Sequence, residues 1–258
     1  MKTTHAQINR ILHEMPPITL DEMHQIRLMK RTDSKYVTNV TTLLRLLRLA
    51  QGHYYAQQNE GSFISPYATT YWDLKDGPTM FSLHQAGHLP RTKVRVRTYV
   101  SSAQSFLEVK KKDNHGKTSK KRVSVPSVDA VMNDHVGEDF LHQRTGLTFN
   151  MLQPTVGNRF SRITLVNYEK TERLTIDFGL HFHNYQTDCD KDMDDAVIIE
   201  LKRDGRAPSP ILPLLRTLRI KPSGFSKYCI GSVVTNEGLR VNRFKKRLIK
   251  IGKAVARA

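Results

Sequence analysis

Between residues 93 and 100 the chain alternates without a break. Lys93, Arg95, Arg97 and Tyr99 share one parity, and Val94, Val96, Thr98 and Val100 share the other. A strand sends successive side chains to opposite faces, so this segment presents a cationic face and an apolar one. The pattern recurs. In 106–110, Glu108 and Lys110 oppose Leu107 and Val109; in 197–202, Glu200, Lys202 and Ile198 oppose Val197, Ile199 and Leu201. Arg173, Thr175 and Asp177 line up in another segment, and Arg162, Tyr168 and Lys170 share a parity in 158–170. A single strand of this kind is an ordinary half-buried antiparallel strand with a wet outer face. Several together point to a closed antiparallel β-barrel, its apolar face turned outward beneath flanking helices and its charged face lining a basic tunnel. So many like charges around one cavity call for an anion. A chain of phosphates supplies both the charge and the acceptor oxygens that Arg and Lys bind.

The remaining segments fit an α+β domain. Strands are predicted at 31–38, 53–58, 68–74, 91–100, 104–112, 117–125, 158–170, 173–178 and 196–202. Helices are predicted at 5–15, 41–50 and 127–145, and from Pro210 onward. No repeat or long linker divides the 258 residues, which read as one domain. A basic tail lies at 240–258.

The balance of 41 Lys and Arg against 24 Asp and Glu gives a formal charge of +17. A compact state with that excess repels itself, so a polyanionic partner is expected: nucleic acid, an anionic membrane or a polyphosphate ligand. Cys189 and Cys229 form no CxxC pair, which argues against a zinc cluster or a disulfide framework. No run is long or apolar enough for a transmembrane span, and the N-terminal MKTTHAQINRILHEM lacks a signal-peptide core. A cytoplasmic protein is expected.

The few carboxylates on the cationic faces carry their own information. Glu108, Glu200, Asp33 and Asp177 would oppose a phosphate ligand unless a divalent cation lay between them. Mg²⁺ or Mn²⁺ is held in this way by one or two carboxylates plus phosphate oxygens. Salt bridging to neighbouring cations is the competing explanation. It is at least equal for Asp33 and Asp177, whereas Glu200 is favoured as a metal ligand.

The ordered set RTDSKY (31–36), TTYWDL (69–74), KVRVRTY (93–99), FLEVKKK (106–112), SKKR (119–122), NYEK (167–170), RLTID (173–177), VIIELK (197–202) and GFSKY (224–228) resembles the polyphosphate polymerase domain of the triphosphate tunnel metalloenzymes. The resemblance covers about residues 30–232, the core of the domain, and that domain is the catalytic part of the vacuolar transporter chaperone complex and of soluble bacterial relatives. The resemblance implies a tunnel that binds ATP and inorganic polyphosphate, a divalent metal, and transfer of the γ-phosphoryl group onto the chain end. By motif, Lys35, Arg95, Arg97, Lys110 and Lys227 fall in the catalytic group. Lys120, Tyr168, Lys170, Arg173, Lys202 and Ser226 fall among the phosphate contacts, with Glu200 and Glu108 at the metal. The sequence departs from the wider superfamily's ExExK signature, because 31–35 reads Arg-Thr-Asp-Ser-Lys. It also lacks the fused regulatory and transmembrane parts of the eukaryotic subunit, so a membrane channel for the product would be a separate protein partner.

Other signals carry less. HGKTSK (115–120) mimics the end of a P-loop, but Lys111 stands where its first glycine should be. TDCDKDMDD (187–195) mimics a calcium loop, but Met193 and Ile199 occupy the glycine and final glutamate positions, so it reads as an acidic surface loop. His181 and His183 share a strand face and read as exposed polar residues, not metal ligands. Ser226 has no evident His partner for a hydrolase triad. The tail is basic and amphipathic, suited to a solvated face, an anionic membrane or polyphosphate. Beside the polymerase stand a triphosphate hydrolase of the same superfamily and a non-catalytic polyphosphate-binding module. Nucleic-acid binding rests on charge alone, since no recognition motif accompanies it.

Overall fold

The alternating segments fold as strands of one large antiparallel sheet. The computed structural model describes residues 2–24, 26, 31–205 and 207–256. Along the chain run α1 (Lys2–Leu12), β1 (Pro17–Ile18), α2 (Leu20–His24), β2 (Arg31–Asn39), α3 (Val40–Ala50) and β3 (Tyr54–Gln57). Next come β4 (Ser65–Leu74), α4 (Met80–Ala86), β5 (Arg91–Tyr99), β6 (Gln104–Lys112), β7 (Thr118–Val125) and α5 (His135–Thr145). The chain ends with β8 (Leu152–Asn167), β9 (Glu172–Asn184), β10 (Cys189–Met193), β11 (Ala196–Asp204), α6 (Ile211–Thr217), α7 (Lys227–Val234) and α8 (Asn242–Val255).

The main path of the sheet is β2-β11-β9-β8-β4-β5-β6-β7. Among the described residues no ladder joins β7 back to β2, so hydrogen bonding does not close the expected barrel. The physical reason lies in the two end strands. β7 is exposed along most of its length and carries Lys120, Lys121 and Arg122, charges that discourage further strand pairing. β2 takes its second backbone contacts from a loop, through a bridge between Tyr36 and Pro222 and a bond from Ser223 N to the Lys35 carbonyl.

The two faces of the sheet sort as the alternation requires. Ile163, Leu165, Leu174, Ile176, Val197, Ile199 and Leu201 point outward into a core shared with α1, α3 and α6. Val94, Val96, Leu107 and Val109 form a second outer core with Leu141 of α5 and Trp72. The concave face is divided. One part is filled by α7 and α8, whose Tyr228, Ile230, Val233, Phe244 and Ile251 pack with Val156, Phe182 and Ile198. The rest carries the charged residues.

Local chemistry starts and anchors these helices. Asn39 caps α3 by accepting from Thr42 N at 2.8 Å. Asp73, buried at the end of β4, accepts from Met80 N at 2.6 Å and Phe81 N at 3.1 Å, and also takes the Tyr228 hydroxyl hydrogen bond. One carboxylate thus fastens α4 and α7 to the sheet. Gly231 permits the close approach of α7: a Cβ there would lie 2.5 Å from Phe182 Cδ1 and 3.1 Å from Val156 Cγ2. Gly231→Ala gains about 1 kcal/mol of helix propensity, but overpacking among these buried side chains costs about 1–3 kcal/mol. Net destabilisation is expected in a denaturant melt; unchanged stability would show that Phe182 can move aside.

Several expected boundaries shift. β8 begins at Leu152 and stops at Asn167, so Tyr168 and Lys170 lie in the following turn and not on a strand face. Lys170 has a positive φ of 57° there. The acidic segment 187–195 is no loop throughout, because Cys189–Met193 pairs with β9. The predicted helix 127–145 is a 3₁₀ turn at Val131–Asn133 followed by α5, capped by Asp134. The amphipathic tail forms α8, but its apolar stripe packs into the concave core.

Candidate functional site

The register brings like charges face to face. Lys93 stands opposite Lys110, and Lys110 opposite Lys120, giving three lysines in one row across β5, β6 and β7. Lys202 stands opposite Arg173 between β11 and β9. Directly opposed like charges destabilise a sheet, so these rows break a rule of sheet design, as functional sites do.

Three carboxylates partly neutralise the concave face. Glu108, 1% exposed, receives Arg95 Nε at 2.6 Å and Lys120 Nζ at 2.7 Å on separate oxygens. Asp177 receives Arg162 Nε at 2.6 Å and Arg162 Nη2 at 2.9 Å, and also pairs with Lys227. Glu200 accepts Lys35 Nζ at 2.6 Å and lies 3.6 Å from Lys202 Nζ. Burial raises the Glu108 pKa, but Arg95, Arg97 and Lys120 outweigh it and bring it to about 2. Glu200 is likewise raised by burial and pulled down to about 2, chiefly by Lys202 and Lys35.

Arg97 is left over. It is 7% exposed, its Nε donates only a 3.3 Å bond to Thr69 Oγ1, and no carboxylate lies within salt-bridge distance among the described residues. Burial, then Arg95 and Arg162, press its pKa down to about 10. Its guanidinium sits 5.6 Å from the Tyr67 ring centre and 5.9 Å from that of Phe160, which stack on each other. The Phe160 ring also lies 4.0 Å from Lys227 Nζ. Aromatic faces soften the burial of these cations but do not neutralise them. Lys93 and Lys110 are also shifted downward, by burial first. The Lys93 ammonium donates to Ser226 Oγ at 2.9 Å. Ser226 in turn caps α7, accepting from Cys229 N at 3.2 Å, so the helix start and Lys227 face the same cationic ground.

Lys35, Arg95, Arg97, Lys110, Lys120, Lys202, Lys227, Ser226, Glu108 and Glu200 all belong to this one face. Although Lys35 and Lys110 stand on β2 and β6, distant in strand order, Lys110 feels the charges of Lys35 and Glu200, so the sheet curls far enough to bring them near each other. Arg173 is on the same face and its charge bears on Lys202. Tyr168 and Lys170 are placed elsewhere: Tyr168 meets Tyr55 edge-on at 4.8 Å, and Lys170 bears on Glu22 beside α2. Arg31, which replaces the first carboxylate of ExExK, has its side chain outside the described residues. Lys93 and Arg162 join the site although the motifs did not single them out. Their alternation parity was the available signal.

As to a metal, the donor set separates the two glutamates. Both Glu108 oxygens are already held by cations in a buried position, which does not suit a metal. Glu200 is 22% exposed and bordered by flexible lysines, which suits a single-carboxylate anchor completed by phosphate oxygens. Among the described residues no three His, Cys, Asp or Glu side chains gather into a protein-only metal cage.

Burial, offset by Asp177, holds Lys227 at about 8; burial, offset by Glu200, does the same for Lys202. An anion beside them favours their charged forms. Tripolyphosphate binding is therefore expected to take up protons just above about pH 8 and to weaken as pH rises further. Calorimetry in two buffers of different ionisation enthalpy measures this, and zero uptake there would place neither lysine at the anion.

These features define an α+β domain with a curved antiparallel sheet and a cationic concave face. HpAC1 from Hippeastrum, a proposed adenylyl cyclase with a dominant triphosphatase activity, shares that fold at 15% identity and a TM-score of 0.52, covering 83% of this chain and 99% of its own. An adenylate cyclase candidate from Bacillus halodurans is similar at 16% identity and a TM-score of 0.47, over 84% of this chain and 99% of its own. No curated protein matches the sequence. The VTC domain profile matches residues 30–236, and the chain belongs to the VTC domain family. The family resemblance read from the motifs is thereby shown.

Proposed function

We propose that this domain binds ATP and inorganic polyphosphate along its cationic concave face and extends the polyphosphate chain by one phosphoryl group per ATP. The observation that carries this reading is Arg97, a buried guanidinium with no carboxylate partner. Glu108 attracts Arg97 but is already engaged by Arg95 and Lys120; a buried cation so poorly compensated is costly, and a phosphate oxygen would complete its neutralisation. Family membership supports phosphate chains as the class of ligand.

In the reaction proposed, an oxygen of the terminal phosphate of polyphosphate attacks the γ-phosphorus of ATP. The bond from γ-phosphorus to the β,γ-bridging oxygen breaks, and ADP leaves with that oxygen. Such transfer depends on positioning and charge neutralisation more than on a side-chain nucleophile. Arg95, Arg97, Lys110 and Lys227 would align the phosphates and balance developing charge, and Ser226 would hold Lys93 in place. A divalent cation, when bound through Glu200, supplies further neutralisation of phosphate oxygens. Among the described residues no helix is long and apolar enough to cross a membrane.

The test is incubation of purified protein with ATP and Mn²⁺, with gel analysis of polyphosphate and assay of ADP. Long chains with matching ADP are expected. Orthophosphate without chains would make the protein a hydrolase, with water as the attacking group. Binding without turnover would make it a polyphosphate-holding module.

A further inference from the structure

A cavity of about 340 Å³ opens where β5 and β6 meet α4 and α8. That is within the usual range of small-molecule sites, yet its lining is not mainly apolar. Arg91, Lys93, Lys110, Lys112, Arg243 and Arg247 contribute six cations, and among the described residues no Asp or Glu lines it. Two of these, Lys93 and Lys110, also belong to the row of opposed lysines, so the cavity continues the candidate site. Arg243 and Arg247 come from α8, which lies beyond residue 236, where the family match ends. The His84 ring borders the same cavity, 8% exposed, and its Nε2 has no hydrogen-bond partner. Burial, then Lys93 and Arg91, hold the His84 pKa down to about 3, so the ring is neutral and adds no seventh charge.

We infer that this cavity is a second anion subsite, in which Arg243 and Arg247 of α8 bind the part of a polyphosphate chain extending past the phosphates held at Arg95, Arg97 and Lys227. The inference rests on the function proposed above. A long chain held at the first region can continue through the shared Lys93 and Lys110 into the cavity, and gains affinity from the additional contacts that a short chain lacks. The α8 arginines thereby favour long product over short substrate. Arg243 is exposed and donates to the Ala86 carbonyl at 3.4 Å, and Arg247 is half-buried near the Phe244 ring, while the buried Phe244 and Ile251 carry the apolar packing of α8 and stay in place when both arginines are truncated.

The experiment compares tripolyphosphate with polyphosphate of several tens of units, by competition binding to the full chain at fixed salt. Three proteins are used: wild type, R243A/R247A, and K245A/K246A, which removes the same charge from exposed positions of α8 outside the cavity. The expected result is tighter long-chain binding by wild type and a loss of about tenfold or more of that advantage in R243A/R247A. K245A/K246A is expected to lose less than about threefold, as general electrostatics alone would give. Equal losses in the two variants, or none in either, overturn the subsite while leaving the function proposal standing. Failure of wild type to bind tripolyphosphate overturns both.

Discussion

Arg97→Met is expected to leave the fold at least as stable as wild type while raising the dissociation constant for triphosphate by about thirtyfold or more. Removing one partner of a buried, hydrogen-bonded charge pair costs about 2–5 kcal/mol of binding. The unliganded protein behaves the other way. Arg97 is almost wholly enclosed, faces Arg95 and Arg162, and has a single weak bond to Thr69. Methionine fills similar space beside the stacked Tyr67 and Phe160 without a buried charge, and apolar replacement of buried ions is often neutral or stabilising. Thermal melts with and without tripolyphosphate report both quantities. A strongly destabilised variant that still bound triphosphate would falsify the anion reading, because Arg97 would then be structural.

Glu200→Gln is expected to lower metal-dependent turnover by about two to three orders of magnitude, the scale associated with one precisely aimed electrostatic contact in a reaction centre. Metal-free tripolyphosphate binding should hold or tighten. The variant removes a negative charge from the face and frees Lys35 and Lys202, which Glu200 engages in the unliganded protein. The loss of turnover beside held or tightened binding distinguishes a metal anchor from a mere salt-bridge partner, whose removal would leave turnover largely intact. Full activity in the variant would take Glu200 out of the mechanism.

Much of the concave face was legible in the sequence because strand periodicity is local. The parity of Lys93, Arg95 and Arg97 against Val94 and Val96 sets which side chains face the cationic ground, and the structure keeps that division. Tyr168 and Lys170 were misplaced because the same parity was carried past Asn167, whose side chain closes a turn by accepting from Thr171 N and Glu172 N. The open ends of the sheet were legible only in part, since the charges of β7 discourage pairing but the loop that covers β2 through Pro222 and Ser223 is set by tertiary placement. The cations of α8 were visible only as charge. Which of them enter the cavity depends on how Phe244 and Ile251 dock, a tertiary outcome. Asp177 and Glu108 are both engaged by cations in the structure, contacts that alternation alone does not specify because they depend on which side chains meet across strands.

The strand order has a consequence for how the molecule comes to exist. β2 precedes the other strands of the main sheet path in the chain, yet its ladder partner is β11, which follows all of them. Helices α7 and α8, later still, cover the concave faces of β8, β9 and β11. Contacts this distant in sequence slow folding, because loop closure must precede any gain from pairing. On the ribosome, β4 to β7 can zip as successive antiparallel neighbours, and β8 and β9 then add on the other side of β4, while β2 waits with its backbone unpaired. An unpaired strand of that length is a point of misassembly. Residues made long after β2 therefore decide whether that strand finds its place.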